Sequence, residues 1–225
     1  MEYDTIFAAA RRAGNELALV DAGRLSRTVA KAAALLRENT EKVLAANALD
    51  LEAMDADSPM RDRLRLTTER IASIAADMES VAGLPSPQGE TIAEWTRPNG
   101  MTLRKVRVPF GVVGMICEAR PNVTVDAACL CLKSANACIL RGGKEAIRSN
   151  TAFAEIMCGA LEGAGLPRDG IQLVTDTSRA SAGDLMTLDG YLDALIPRGG
   201  KGLIQAVVKG ASVPVIETGA GVCHT

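Results

Sequence analysis

Two short loops in this sequence carry the same four residues. Arg141-Gly142-Gly143-Lys144 follows the apolar run ACIL, and Arg198-Gly199-Gly200-Lys201 follows LDALIP. Each joins a β-rich run to a stretch of helical character. Paired glycines let backbone N–H groups approach a ligand closely, and a helix start carries partial positive charge. The flanking Arg and Lys add formal charge that suits phosphate. For one loop, a tight strand-to-helix turn with solvated basic side chains is explanation enough. Repetition at two strand ends points to anion binding, and two such corners could hold two parts of a dinucleotide phosphate. Neither loop has Walker spacing, and no G-x-G-x-x-G follows a strand; Gly219-Ala220-Gly221 has only the opening of one.

Three further groups could carry chemistry. In GVVGMICEARPNVTVD, Arg120 could bind a carboxylate or phosphate and the Asn122 amide could donate to a developing oxyanion. On local sequence alone the better reading is that Asn122 or Thr124 simply caps the helix that follows. Cys223-His224 offers a thiol beside an imidazole. Neighbours on an extended chain point to opposite faces, so the pair is poorly arranged to work together. Glu217, closing VPVIE, is a better-placed acid for a site at a sheet edge, or a solvated strand end.

Elements to position these residues follow from the hydrophobic pattern. Up to residue 84 the apolar residues recur at helical spacing. Ile6, Ala9, Ala10 and Ala13 mark one helix, and Leu25, Val29, Ala32, Ala33 and Leu36 a second. Asn39-Thr40 caps a third around Val43, Leu44 and Leu51, broken at Ser58-Pro59, and a fourth runs from about Met60 to Val81. Residues 85–109 contain two alternating runs, TIAEWTR and MTLRKVRV, around Pro98-Asn99-Gly100. Asn-Gly supplies the positive φ angles of a tight turn, so a β-hairpin is expected, either folded over its own domain or serving as an arm completed by another chain. In residues 110–225 the runs GVVGMI, ACIL, GIQLV, YLDALI and VPVIE alternate with helices over roughly 123–134, 145–162, 179–188 and 201–209. That order predicts an α/β fold with a doubly wound parallel sheet, whose ligands bind beyond the carboxyl ends of the strands.

Composition bounds the partners. The 225 residues carry 25 Lys+Arg against 27 Asp+Glu, a formal charge of −2 without blocks of like charge. Neither nucleic acid nor a membrane surface is indicated, and at 3% aromatics there is no base-stacking platform. No apolar run reaches the ~18 residues of a membrane span. The acidic start MEYDTIF has no signal core. Six cysteines inside apolar segments, with one histidine, lack metal-ligand spacing, so reduced thiols in a cytoplasm and no metal are expected.

The segments VPFGVVGMICEARPNVTVDAACLCLKSANACILRGGKEA, LIPRGGKGL and VPVIETGAGVCH closely resemble the gamma-glutamyl phosphate reductase family, a branch of the aldehyde dehydrogenase superfamily. The resemblance extends through the N-terminal helices and the DRLRLT segment. It implies a Rossmann-type cofactor domain, NADPH as cofactor, and a homo-oligomeric enzyme. The implied reaction reduces glutamyl 5-phosphate to glutamate 5-semialdehyde and phosphate through a cysteine thioester, in proline biosynthesis. Arg141 to Lys144 would then lie by the adenosine ribose and its 2′-phosphate. Gly199 and Gly200, between Arg198 and Lys201, would lie under the pyrophosphate. Asn122 would be the oxyanion donor. Glu217 falls where many aldehyde dehydrogenases keep a general base, although a branch that expels phosphate need not hydrolyse its thioester.

Family members are nearly twice this long, and their catalytic cysteine follows the segment matching ETGAGVCH. No residue of this sequence matches it, and Cys223 does not inherit its role. The expectation is a cofactor-binding half without its catalytic domain. The alternatives are a non-catalytic nucleotide- or anion-binding module of natural length 225, and a thiol enzyme using Cys223 and His224.

Overall fold

In the N-terminal segment, the first two runs with a helical apolar stripe become helices with that stripe inward. The computed structural model describes residues 4–118 and 120–218. Helix α1 (Asp4–Leu17) buries Phe7, Ala10, Ala13 and Leu17, and α2 (Ala22–Glu38) buries Leu25, Val29, Ala32, Ala33 and Leu36. The Asp21 carboxylate caps α2 by accepting from the Arg24 N–H at 3.0 Å. Helix α3 (Thr40–Glu52) ends earlier than Ser58-Pro59. Asn39 takes its N-cap position, but its side chain makes no capping bond: the amide Nδ2 donates back to the Leu35 carbonyl at 2.8 Å.

The expected fourth helix is two. Residues Arg61–Leu64 form the single turn α4 and Thr68–Gly83 form α5, with Arg65 extended between them. The break is made from a distance. Buried Asn47 donates to the Leu64 carbonyl (2.9 Å) and accepts from the Leu66 N–H (2.8 Å), satisfying backbone groups that a continuous helix would pair internally.

Strands β1 (Thr91–Thr96) and β2 (Thr102–Val106) pair antiparallel, Thr96 opposite Thr102. The turn is wider than an Asn-Gly two-residue loop. Arg97 and Met101 close it, and Gly100 alone of the turn residues has positive φ (83°). Every residue of β1 is exposed, as are all of β2 except half-buried Leu103.

A four-stranded parallel sheet follows, built from β3 (Val112–Cys117), β4 (Ala137–Arg141), β5 (Ile171–Leu173) and β6 (Ala194–Arg198) in the order β5-β4-β3-β6. Between them run α6 (Pro121–Lys133), α7 (Ile147–Glu162) and α8 (Arg179–Met186), and α9 (Lys201–Gly210) leaves β6. The chain steps β3, β4, β5 in one direction, then returns to the other flank of β3. Because parallel crossovers are right-handed, that reversal puts α6 and α7 on one face and α8 on the other, a doubly wound arrangement. VPVIE does not form the expected fifth strand. It makes one parallel bridge, Leu195 to Val215, flanked by Pro214, which has no N–H to extend a ladder.

One apolar core joins the helical segment to the sheet, from Phe7 and Leu25 through Ile116, Ile139 and Phe153 to Val213. No helix among the described residues is long and apolar enough to cross a membrane.

Candidate functional site

The reversal of strand order opens a crevice between the carboxyl ends of β3 and β6, where ligands of such sheets bind. A cleft of about 460 Å³ lies there. Arg198, Gly199, Gly200 and Lys201 line it from β6 and α9, Glu118 and Arg120 from the segment after β3, and Glu217 and Thr218 complete the lining from the segment after α9. Ladder bonds tie the first two of these together. Cys117 pairs with Arg198, and the Glu118 N–H donates to the Arg198 carbonyl at 3.1 Å.

The start of α9 is the element of this lining whose chemistry suits an anion. Gly200 takes the N-cap position in extended conformation, and no side chain of the cap residue closes the turn. Its N–H instead donates to Glu118 Oε2 at 2.9 Å. A carboxylate oxygen thus already stands where an anionic ligand would be held. Gly199 leaves room for it, since a Cβ there would come within 2.6 Å of Glu118 Cδ. Arg63, Arg120, Arg198 and Lys201 all line the cleft, and none forms an ion pair among the described residues. A helix start, two glycines and unpaired cations suit a diphosphate. By contrast α6 begins with Pro121, which has no N–H to offer.

The first RGGK loop lies at the end of β4, on the other side of β3, and does not line this cleft. The Arg141 guanidinium is turned to the loop after β5, donating to the carbonyls of Thr177 and Ser178 at 2.8 Å each. Asn150 and Glu145 hem in the two glycines. A Cβ on Gly142 would meet Asn150 Nδ2 at 2.2 Å, and one on Gly143 would meet Glu145 Oε1 at 2.2 Å. Lys144 opens a 3₁₀ turn, and its side chain forms no ion pair among the described residues.

Asn122 sits in the first turn of α6, outside the cleft lining. Its amide donates to Asp126 Oδ2 at 3.2 Å. Burial, and then the charge of Asp77, push the Asp126 carboxyl above its ordinary range against that bond. Thr124 does not cap α6: it is buried and donates to Asn150 Oδ1 at 2.9 Å. Glu217 does reach the cleft. Cys223, His224 and Gly219-Ala220-Gly221 lie outside the described residues.

The five described cysteines are buried. Burial pushes the thiols of Cys117 and Cys158 up to about 11 and that of Cys129 to about 12. Cys138 is raised by its hydrogen bond with Cys131 and by burial. Such thiols are poor nucleophiles at neutral pH. Among the described residues, no group of three or more His, Cys, Asp or Glu side chains could hold a metal ion.

Sequence reasoning missed Met60 and Arg63, which reach the cleft from the helical segment. The Asn47 hydrogen bonds that break the helix set this corner, and buried Leu64 and Leu66 flank it. Only the DRLRLT segment within the resemblance pointed there, without a role.

An aldehyde dehydrogenase family model matches residues 1–219. The chain belongs to the aldehyde dehydrogenase family. A gamma-glutamyl phosphate reductase of Koribacter versatilis is 52% identical over 216 residues, 96% of this chain and 52% of that protein. The crystal structure of gamma-glutamyl phosphate reductase from Thermotoga maritima superposes with a TM-score of 0.94 at 36% identity, covering 98% of this chain and 54% of that one. The Saccharomyces cerevisiae gamma-glutamyl phosphate reductase gives 0.87 at 28% identity, covering 98% and 57%. The chain spans about half the length of the curated relatives it matches. The expected fold and the resemblance carried by EARPNVT and the paired RGGK loops are therefore borne out. Aldehyde dehydrogenase family membership implies binding of a nicotinamide cofactor.

Proposed function

We propose that this chain forms the cofactor-binding part of an NADPH-dependent gamma-glutamyl phosphate reductase. In the cytoplasm, that enzyme reduces L-glutamyl 5-phosphate to L-glutamate 5-semialdehyde and phosphate, a step of proline biosynthesis. The observation that best supports the reading is the start of α9, which already holds a carboxylate on the Gly200 N–H within a cation-lined cleft at the strand reversal.

On this reading Gly199 and Gly200 lie under the pyrophosphate, with Arg198 and Lys201 beside it. Arg141 to Lys144 flank the adenosine ribose and its 2′-phosphate, with Arg141 setting the loop and Lys144 supplying the charge. Glu217 contacts the cofactor in the cleft. When bound, the nicotinamide supplies the hydride. Asn122 donates to the oxyanion after leaving Asp126. None of the described cysteines is assigned as nucleophile: burial keeps the thiols of Cys117, Cys129 and Cys158 protonated, and Cys131 and Cys138 are buried as well. In the full-length family that thiolate follows the segment matching ETGAGVCH. The hairpin, exposed on both faces with open edges, is the arm through which the enzyme forms a homo-oligomer.

The test is calorimetric titration of the chain with NADPH, NADH and 2′-phosphorylated against plain adenosine nucleotides. NADPH is expected to bind more tightly than NADH, with the preference removed in Lys144→Ala. Folded protein that binds neither dinucleotide overturns the reading. Equal binding of phosphorylated and plain nucleotides in both proteins removes the NADP assignment. The chain by itself is expected to show no phosphate-dependent reduction of NADP with the semialdehyde.

A further inference from the structure

The Gly200 N–H stands at the start of α9 in the cleft lining, and it is not free. Glu118 Oε2 occupies it at 2.9 Å. The backbone of Glu118 is fixed, since its N–H continues the β3 ladder to the Arg198 carbonyl. Its side chain is the movable part: the residue is exposed, and rotation about its side-chain bonds releases the carboxylate into the cleft or into water. Gly199 is what permits the approach. Any side chain there would collide with the Glu118 carboxylate carbon, whereas a Cβ on Gly200 would clear it at 3.7 Å.

We propose that Glu118 is a built-in competitor for the phosphate position at the start of α9 and so sets which ligands the cleft accepts. The proposal rests on the dinucleotide reading above. A carboxylate brings one negative charge and one acceptor to the helix start. A diphosphate brings more charge and several acceptors, with Arg120, Arg198 and Lys201 around it to receive them. A ligand that carries pyrophosphate displaces Glu118. A nucleoside or a monoanion does not gain enough to do so. Glu118 is thus a specificity-determining residue acting by occupancy, and it holds the helix start capped until the cofactor arrives.

Contact must be separated from bulk charge, and Asp serves that purpose. Glu118→Asp keeps the charge but retracts the carboxylate by one methylene, out of reach of Gly200. Binding of NADPH and of inorganic pyrophosphate is measured by calorimetry on the wild type, Glu118→Asp and Glu118→Ala, with a thermal melt of each to show folding. Exchange of the Gly200 amide is followed by NMR. Both variants are expected to bind pyrophosphate and NADPH about three- to ten-fold more tightly, with the Gly200 amide exchanging faster in the free protein. If Glu118→Asp binds like the wild type while Glu118→Ala tightens, charge alone is at work and the proposal fails. It fails equally if NADPH binds and neither variant changes its affinity. If pyrophosphate tightens in both variants but no protein binds NADPH, the dinucleotide reading fails and the competitor role stands.

Discussion

Asp50 of α3 caps α7 through Ser149, a residue 99 positions away. Its Oδ2 accepts from the Ser149 N–H at 2.8 Å and from the Ser149 hydroxyl at 2.7 Å, while Oδ1 accepts from the Arg148 N–H at 3.2 Å. Asp50 is 2% exposed. A buried carboxylate therefore satisfies helix-start donors of another element, and α7 is the helix that leaves the first RGGK loop.

Asp50→Ala is expected to cost about 2–3 kcal/mol in urea unfolding, because it strands buried N–H and hydroxyl donors. Asp50→Asn, which keeps one acceptor oxygen, should cost less. Indistinguishable midpoints for wild type and Asp50→Ala would show that water takes over the donors.

Gly111 precedes β3 with φ 120°, and a Cβ there would lie 2.4 Å from Asp193 Oδ2. That carboxylate accepts from Val112 N–H at 2.8 Å and pairs with Arg11 at 2.6 Å, so it cannot retreat without loss. Gly111→Ala is expected to destabilise by about 2–3 kcal/mol, combining backbone strain with loss of the Asp193 bonds. Thermal or urea denaturation reads it. Gly183→Ala, where a Cβ meets nothing within 4 Å in the middle of α8, should not destabilise.

The raised thiols give stability a pH dependence with a definite sign. Unfolded, these cysteines titrate near 9; folded, Cys117 and Cys158 do so near 11 and Cys129 near 12. An acid whose pKa rises on folding contributes stability below its unfolded value. That contribution is lost as pH climbs towards the folded one. Urea midpoints should therefore fall progressively from about pH 9 upward, and less so in Cys129→Ala after allowance for its lost packing. In the native protein at pH 8 the five described thiols should resist a disulfide-exchange reagent and react only after unfolding. Rapid native reaction of several thiols would contradict the buried assignment.

Arg141 and Lys144 belong to the same loop and should separate experimentally. Arg141→Gln removes two bonds to the carbonyls of Thr177 and Ser178, so it should lower stability by about 1–3 kcal/mol. It should weaken NADPH and NADH alike, through the loop. Lys144→Ala should leave the unfolding midpoint unchanged and weaken NADPH selectively. Matching phenotypes for the two would show that the loop acts as one unit.

What the sequence revealed and what it hid divide by the range of the interactions. Helix α2 was legible because Leu25, Val29, Ala32, Ala33 and Leu36 repeat at helical spacing, and all five are buried. The split of α4 from α5 was not, since Asn47, a residue of another helix, makes it. The second RGGK loop was legible as a candidate corner because glycines, charge and strand end coincide in one tetrapeptide, and it does line the cleft. The first loop looks the same in sequence, yet Arg141 is committed to carbonyls 36 and 37 residues later. Glu118 had no local signal at all. Its bond to Gly200 forms only where β3 and β6 become neighbours, and Arg63 reaches the same cleft from the helical segment.

That neighbour relation has a consequence for how the site comes into being. Glu118 and Gly200 are 82 residues apart, whereas β3 meets β4 across a single short helix. Closing the longer loop costs more entropy and requires β4, β5 and two further helices to be in place or out of the way. A growing chain thus settles its helical segment and the β3–β4 pair first, while the opposite edge of β3 waits with open hydrogen-bonding groups. The β3–β6 cleft is therefore made after the β3–β4 pair during synthesis, and a chain halted before β6 would lack the wall that carries Gly200.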